Sequence, residues 1–275
     1  MPYLAPGGPS ACYPNPLFLV IDEGTVLYDS FRITCGEVMY RDFFQFQGPI
    51  FYYIHAGLFA ITGPSITTAR TLNLLVTGIT AVFIALIITR RLGHIAGAIA
   101  AAIHACLLVP IYPYAYPHWF AECFALAGIY LLATSKCKSR RDLAGGIFLG
   151  LSSFTIQSLG LPILAACIIT LAIPGIIQSR WKEICNRLLW VLGGALLIIF
   201  PFILYLGFAG GLDQMWYSMV KWVFNLYSEG QKDAAIQGYG ANLYKYLILH
   251  SRSGISQPWR ILAMTGLYFI KFFPL

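Results

Sequence analysis

The sequence predicts an all-α protein, a polytopic transmembrane helical bundle with surface-lying helices in its first outer loop. Of the 275 residues, 58% are hydrophobic and only 11% are charged, and the mean hydropathy is +0.71. Soluble domains carry about 25% charged residues. Apolar runs of about 20 residues, the length that crosses a bilayer core of about 30 Å, recur along the chain. These observations predict a single membrane domain that spans residues 1–275, and they argue against a soluble fold.

Six apolar runs, and the start of a seventh, are long enough to cross a bilayer. The predicted spans are 65–89, 94–113, 117–135, 142–158, 160–178, 188–211 and one from about residue 258. The run 142–158 is the shortest of the six complete spans. It contains Gly145, Gly146 and Gly150, and glycine lets neighbouring membrane helices approach closely.

The positive charges predict the orientation of these spans. Nine of them lie in three short segments between spans: Arg90, Arg91, Lys136, Lys138, Arg140, Arg141, Arg180, Lys182 and Arg187. Short loops rich in Lys and Arg stay on the cytoplasmic side of a membrane. The N-terminal region up to residue 64, the turns at 112–117 and 157–160, and the loop 212–257 then face outwards. The same distribution accounts for the net charge of +7, so we expect no nucleic-acid partner.

Two further segments are predicted to lie on the membrane surface. Residues 48–62 would form a helix of roughly 22 Å, too short for the bilayer core. The alternative for this segment is a re-entrant or buried helix. In residues 213–227, one helical stripe would carry Trp216, Met219, Val220 and Val223, which is typical of an amphipathic helix at an interface.

Acidic residues are concentrated in the first outer loop. Five of the eleven acids lie between Ile21 and Pro49, and two of them form the adjacent pair Asp22-Glu23. A paired acid at a membrane surface can take a proton from a nucleophile or hold a cation. The alternative is that Asp22 only caps the helix that follows, since Asp is a favoured N-cap residue.

Three ionisable residues of the predicted spans are also candidates for function. Glu122 lies five residues into an apolar run, one helical turn after His118, so both share a face. Ionisable groups within membrane segments are often functional, although Glu122 could instead be a solvated carboxylate paired with His118. Arg70, near the outer start of the first span, could hold an anion or only extend its charge to the interface.

The chain resembles the GT-C glycosyltransferases of the dolichyl-phosphate-mannose protein mannosyltransferase type, most of all their bacterial polyprenyl-phosphate-dependent members. The matching positions, in order, are Asp22-Glu23, Gly36, Tyr40 to Phe43, Pro49 with Tyr52-Tyr53, Gly63 to Ser65, and Ala69-Arg70. The downstream segments HWFAECFALAGIYLLA and GIFLGLSSFTIQSLGLP are also similar. The resemblance rests on the order of these short motifs rather than on any one of them.

The resemblance implies an inverting glycosyltransferase in the cell membrane, multi-pass, with its active site on the non-cytoplasmic face. It would move a sugar from a polyprenyl-phosphate donor to a hydroxyl of a lipid, glycan or protein acceptor, without a metal or another cofactor. Asp22 would be the general base, and Glu23 would orient the acceptor or tune Asp22. The resemblance also implies a substrate-binding set, with the arginines on the donor phosphate: Arg32, Arg41, Asp42, Arg70, His118 and Glu122.

The sequence departs from the family pattern in three places. Relative to the family, it has no full membrane helix before Asp22 and lacks several spans after residue 275, so we expect a fragment or a shortened member. Where many members have Lys-Pro-Pro, this chain has Gln47-Gly48-Pro49. Two alternatives therefore stay open. One is a non-catalytic fragment, and the other is a transporter-like protein in which Glu122 and His118 form a proton or substrate path.

Overall fold

The computed structural model describes residues 21–108, 114–135, 139–178 and 181–227, and in these ranges the chain is all-helical, without a β-strand. The nine α-helices are α1 (Ile21–Thr34), α2 (Ile50–Thr62), α3 (Ile66–Leu92), α4 (His94–Ile103), α5 (Pro117–Thr134), α6 (Ser139–Ser153), α7 (Gln157–Gln178), α8 (Trp181–Ala209) and α9 (Leu212–Trp216). Short π-helical segments follow α4 and α9, at His104–Leu108 and Tyr217–Tyr227. The all-α class is therefore confirmed, while the predicted span near residue 258 lies outside the described residues.

Two compact units are present, Met1–Val220 and Lys221–Leu275, and the second is described only from Lys221 to Tyr227. The first unit contains all nine helices.

Local sequence signals set the bounds of α3. Its N-cap residue Ser65 is extended, and the Ser65 hydroxyl accepts a hydrogen bond from the Thr68 N–H at 3.3 Å. Its last turn ends at Gly93, where φ is +89° and the N–H bonds to the Thr89 carbonyl. Only glycine adopts such positive φ values without strain. The helix therefore begins one residue after the start of the predicted span 65–89 and ends three residues beyond it.

Helices α3 and α8 are long and apolar enough to cross a membrane. They contain 27 and 29 residues, with mean hydropathy of 2.3 and 2.4 over their most apolar windows, yet only 17% of each window is buried. In α3 the buried side carries small and polar residues: Ala69, Asn73, Thr77 and Thr80. The exposed side carries large apolar ones: Leu74, Leu75, Ile79, Val82 and Leu86. This is the reverse of the pattern of a helix in a soluble protein.

The other predicted spans also correspond to helices. The runs 94–113, 117–135, 142–158 and 160–178 correspond, in this order, to α4 with its π-helical extension, α5, α6 and α7. Each helix lies within its run or extends at most three residues beyond it. In the described part of the chain, α2, α4 and α7 count as shorter apolar helices. The surface helix expected at 48–62 is α2, with 13 residues.

Glycine residues bring α5, α6 and α8 close together. A Cβ atom on Gly150 would lie 2.8 Å from the Ala195 Cα, and one on Gly194 would lie 2.8 Å from the Ile147 nitrogen. A Cβ atom on Gly128 would lie 3.0 Å from the Gly145 carbonyl oxygen. Because real Cβ atoms do not approach this closely, these positions require glycine, as the sequence led us to expect for α6.

The stripe expected in residues 213–227 differs from the burial that the structure shows. Met215 and Ser218 are buried, whereas Trp216 is 56% exposed. The buried positions in residues 215–218 therefore differ from the predicted stripe, and the difference begins at Met215 and Trp216, before the π-helical segment. In that segment the chain also has more residues per turn than the α-helix assumed for the stripe.

Candidate functional site

A buried ion pair joins the acidic motif on α1 to the first turns of α3. The Glu23 side chain is only 2% exposed and accepts two hydrogen bonds from Arg70, from Nε at 3.0 Å and from Nη2 at 2.6 Å. The Ala115 N–H also donates to Glu23 Oε1, at 2.9 Å. The Arg70 guanidinium lies 5.5 Å from the centre of the Tyr114 ring. Residues from three distant parts of the sequence therefore meet at one carboxylate.

This geometry gives Glu23 a positioning role. Both of its carboxylate oxygens accept hydrogen bonds from the protein, so the side chain holds α1 against α3 and against the segment before α5. Asp22 immediately precedes Glu23 within α1, so the same contacts hold the Asp22 backbone. The Asp22 side chain, the predicted general base, lies outside the described part of the structure.

Arg32 and its ion-pair partner lie at the end of α1. Its guanidinium binds the Glu37 carboxylate, with Nε 2.8 Å from Oε2, and Nη2 donates to the Asp42 carbonyl at 3.2 Å. The guanidinium carbon lies 4.5 Å from the centre of the Phe43 ring. Arg32 therefore closes the loop that follows α1 onto the end of that helix.

Arg41 forms the second ion pair of this loop. Its Nε and Nη2 donate to the two Asp42 oxygens, each at 2.8 Å, and Nη1 donates to the Ala209 carbonyl at the end of α8, at 3.2 Å. The Arg41 guanidinium, together with the Val38 N–H, lowers the pKa of Asp42. This pair is more exposed to solvent than the Glu23–Arg70 pair, since the Arg41 side chain is 43% exposed and the Asp42 side chain is 29% exposed.

All three arginines that the sequence proposes as phosphate contacts are therefore ion-paired in this structure. A phosphate could bind Arg70 only by competing with a buried carboxylate, whereas the partners of Arg32 and Arg41 are partly exposed. Exposed ion pairs are worth roughly 0–1 kcal/mol and separate easily.

Tyr40, within the matching Tyr-Arg-Asp-Phe segment, has an unusual backbone conformation. In the described residues it is the one non-glycine residue with positive φ, at +70°. A bulky residue in this region is strained and persists only where its surroundings hold it. Tyr40 is 3% exposed, and its hydroxyl donates to the Gln47 carbonyl at 2.7 Å. Gln47 in turn accepts a hydrogen bond from the Tyr52 hydroxyl at 2.9 Å.

Asp29 is a buried carboxyl group that sequence reasoning did not single out. It is 6% exposed, and its Oδ2 accepts a hydrogen bond from Gln45 Nε2 at 3.0 Å. Burial raises the pKa of Asp29 to about 6, against smaller opposing effects of Gln45 and Arg32. Only its spacing could have singled out Asp29 from the sequence, because a residue seven positions after Asp22 lies on the same face of a helix.

The loop before α2 is attached to the turn between α6 and α7. The Gly48 N–H donates to the Thr155 carbonyl at 3.1 Å, and Gln157 Nε2 donates to the Phe46 carbonyl at 2.6 Å. A Cβ atom at position 48 would overlap the Phe154 carbonyl group. Position 48 therefore has room only for glycine.

The described residues show no ion pair between Glu122 and His118, the alternative that the sequence left open for Glu122. Glu122 is half-buried, and no hydrogen bond or ion pair reaches it from the described residues. His118 is exposed, and its ring stacks on Tyr116 with the centroids 5.0 Å apart. The structure therefore brings Glu23 and Arg70 together but shows no contact between Glu122 and that pair.

His55 lies in an aromatic environment on α2. It is fully buried, its Nδ1 lies 3.0 Å from the Phe51 carbonyl oxygen, and its ring packs against Phe51 and Phe120. Nε2 has no partner in the described part of the chain. Burial lowers the pKa of His55 to about 4, so the imidazole is neutral at physiological pH.

Comparison with known proteins gives no further assignment. The chain matches no protein-family model, no curated protein and no solved structure.

Proposed function

We propose that this chain is a membrane-embedded glycosyltransferase of the GT-C type. It moves a sugar from a polyprenyl-phosphate donor to an acceptor hydroxyl on a lipid, glycan or protein, at the non-cytoplasmic face of the cell membrane. The observation that carries the proposal is the Glu23–Arg70 ion pair. This pair joins the Asp-Glu motif to the Ala-Arg motif, which are the first and the last of the short motifs listed for the family resemblance. Glu23 and Arg70 are 47 residues apart in the sequence.

The surfaces of α3 and α8 support the membrane part of the proposal. A core helix of a soluble protein is mostly buried, whereas the most apolar windows of these two helices are only 17% buried. Neither helix lies near the N-terminus, where a signal sequence would be found. Large apolar side chains exposed along helices of this length favour a lipid surrounding.

In the proposed reaction, the acceptor oxygen attacks C1 of the sugar while the acceptor proton passes to the Asp22 carboxylate. The new C1–O bond forms as the bond from C1 to the phosphate oxygen breaks, and polyprenyl phosphate leaves with the bonding electrons. Glu23 positions Asp22 and Arg70, since its own oxygens are occupied. Arg41 is the favoured phosphate contact because its pair with Asp42 is exposed, and fixed positive charge stabilises a leaving phosphate.

The test is sugar transfer by the whole chain in proteoliposomes, with a panel of radiolabelled polyprenyl-phosphate hexoses and pentoses. Asp22→Asn removes the base while keeping the size of the side chain. It should lower the transfer rate by about 10² to 10⁴-fold, the usual contribution of a general base. Glu122→Gln should lower it less, because the proposed role of Glu122 is substrate binding and not proton transfer.

The matched control is Asp213→Asn, which changes an exposed acid in the first turn of α9 and should leave the rate unchanged. If transfer is measurable and Asp22→Asn retains it within about twofold, Asp22 is not the general base. If no donor of the panel is consumed by the folded wild-type chain, the glycosyltransferase assignment is wrong.

A further inference from the structure

The loop between α1 and α2 is organised around one amide side chain. Gln45 is 6% exposed, and its Oε1 accepts hydrogen bonds from the Phe46 and Gln47 N–H groups, at 2.9 and 3.4 Å. These two bonds fix the orientation of the amide, so that its Nε2 points to Asp29. The hydrogen bond from Gln45 to Asp29 therefore links residues 45–48 to α1.

The same residues connect α1 to the rest of the outer end. Gly48 and Phe46 bind Thr155 and Gln157, at the turn between α6 and α7. Any change that moves Gln45 away from Asp29 therefore changes how α1 is held against α2 and against that turn.

The charge on Asp29 is poorly compensated. The groups that face it are Arg32 on its own helix, Glu37 and Gln45 from the loop, and Tyr52 on α2. Arg32 is already ion-paired with Glu37, and Glu37 repels a negative charge on Asp29. A buried carboxylate with one neutral donor is much less stable than the same group in water.

We propose that Asp29 is a proton-controlled latch of the outer loop. When it is uncharged, residues 45–48 pack onto α1, and when it ionises, the closed arrangement loosens because opening returns the carboxylate to water. A neutral carboxyl group keeps the contact, since its carbonyl oxygen still accepts the Gln45 N–H. The loop is therefore closed at acidic pH and looser at neutral pH. This proposal does not depend on the proposed enzymatic function.

The sign follows from proton linkage. The pKa of Asp29 is about 6 in the closed state and returns to its ordinary value of about 3.9 when the loop opens. The closed state thus binds the proton more tightly, and it loses stability as the pH rises from about 4 through 6. Between pH 5 and pH 7.5 the opening equilibrium should increase about tenfold.

Hydrogen exchange of the backbone amides of Phe46, Gln47, Gly48 and Ile50 tests the latch, with the full chain in nanodiscs. After correction for intrinsic exchange, their protection should fall about tenfold from pH 5 to pH 7.5. Amides at the α6–α8 packing around Gly146 serve as the internal control and should show no such fall. Asp29→Asn keeps an acceptor for Gln45 without a titrating group, so its protection should not depend on pH over this range.

A second variant keeps the test decisive if Asp29→Asn does not fold. Gln45→Met removes the donor that lowers the pKa of Asp29, while the bond from Gly48 to Thr155 still holds the loop, so the transition should move to higher pH. His55 cannot imitate the effect, because its lowered pKa gives the opposite slope, with stability lost as the pH falls. Unchanged protection of the same four amides in the wild type would overturn the proposal. So would a tenfold fall that persists in Asp29→Asn, or a transition that Gln45→Met leaves in place.

Discussion

At the residue scale, Glu23 shows how a charge is accommodated in an apolar bundle. Its carboxylate is almost fully buried and accepts three N–H groups, two from Arg70 and one from Ala115. Burying a carboxylate without such donors costs several kcal/mol, and removing one partner of a buried pair leaves the other uncompensated. The contacts of Glu23 are therefore a requirement of the fold, whatever the chain binds.

Glu23→Gln should consequently destabilise the protein by about 3 kcal/mol. The new amide N–H₂ would face Arg70 or the Ala115 N–H, which are donors themselves. Unfolding of the detergent-solubilised chain by heat or denaturant measures the effect. Arg41→Gln, which breaks the exposed pair with Asp42, is the matched control and should leave the midpoint unchanged. Equal midpoints for Glu23→Gln and the wild type would show that the buried pair does not stabilise the fold.

Sequence reasoning identified the individual residues of this site better than their partners. Asp22, Glu23 and Arg70 stood out as ionisable groups in matching motifs. That Glu23 binds Arg70 was not predictable, because the 47 residues between them carry no periodicity that fixes their distance. Asp29 was overlooked because its burial, rather than its residue type, makes it unusual. Helical spacing left open a pair between His118 and Glu122, and the structure shows the His118 ring stacked on Tyr116.

At the element scale, the contact of α6 with α8 depends on backbone approach. A Cβ atom on Gly194 would lie 2.8 Å from the Ile147 nitrogen and 3.0 Å from the Gly146 carbonyl carbon. These are backbone atoms, which cannot move aside as the end of a flexible side chain can. Between apolar helices in lipid, such close packing replaces the hydrophobic driving force available in water.

Gly194→Ala should therefore destabilise the bundle by about 1–3 kcal/mol, the usual cost of overpacking. The adjacent Gly193 provides the matched control, because a Cβ atom there would meet nothing within 4 Å. Gly193→Ala should leave stability unchanged or raise it by up to about 1 kcal/mol through helix propensity. Thermal unfolding of both variants in the same detergent gives the comparison. If Gly193→Ala is as destabilising as Gly194→Ala, close approach of α6 to α8 is not the reason.

The helices themselves were largely predictable, since long apolar runs and their Ser, Gly and Arg boundaries determine α3 and α8. The acidic segment was expected as an outer loop, with a helix after Asp22 as the alternative, and it forms α1. Residues 213–227 were predicted to be one α-helix. Their π-helical turns were not readable from the sequence, because no residue type marks a change from α- to π-helical hydrogen bonding.

At the scale of the whole molecule, segments predicted on the same face meet at the same end of the bundle. Ala115, Gln157 and Ala209 all belong to or adjoin segments placed outside by the loop charges. They contact Glu23, Phe46 and Arg41, respectively. At the other end, Arg187 binds Asp142 and the Leu132 carbonyl, and Arg141 binds the Thr134 carbonyl. The segments predicted on the two faces therefore gather at two different ends, and which end faces the cytoplasm stays a prediction.

Two exposed cysteines at opposite ends allow a test of this orientation. Cys35 follows α1, and Cys185 lies near the start of α8, among the basic residues. In intact cells that express single-cysteine variants, an impermeant maleimide should label Cys35 and leave Cys185 unlabelled until the cells are permeabilised. Cys137, outside the described residues, should behave like Cys185. Cys123, which is buried, controls for leakage and unfolding and should stay unlabelled throughout. Labelling of Cys185 in intact cells would reverse the orientation and place Asp22, Arg70 and the proposed site on the cytoplasmic side, where the proposed reaction does not take place.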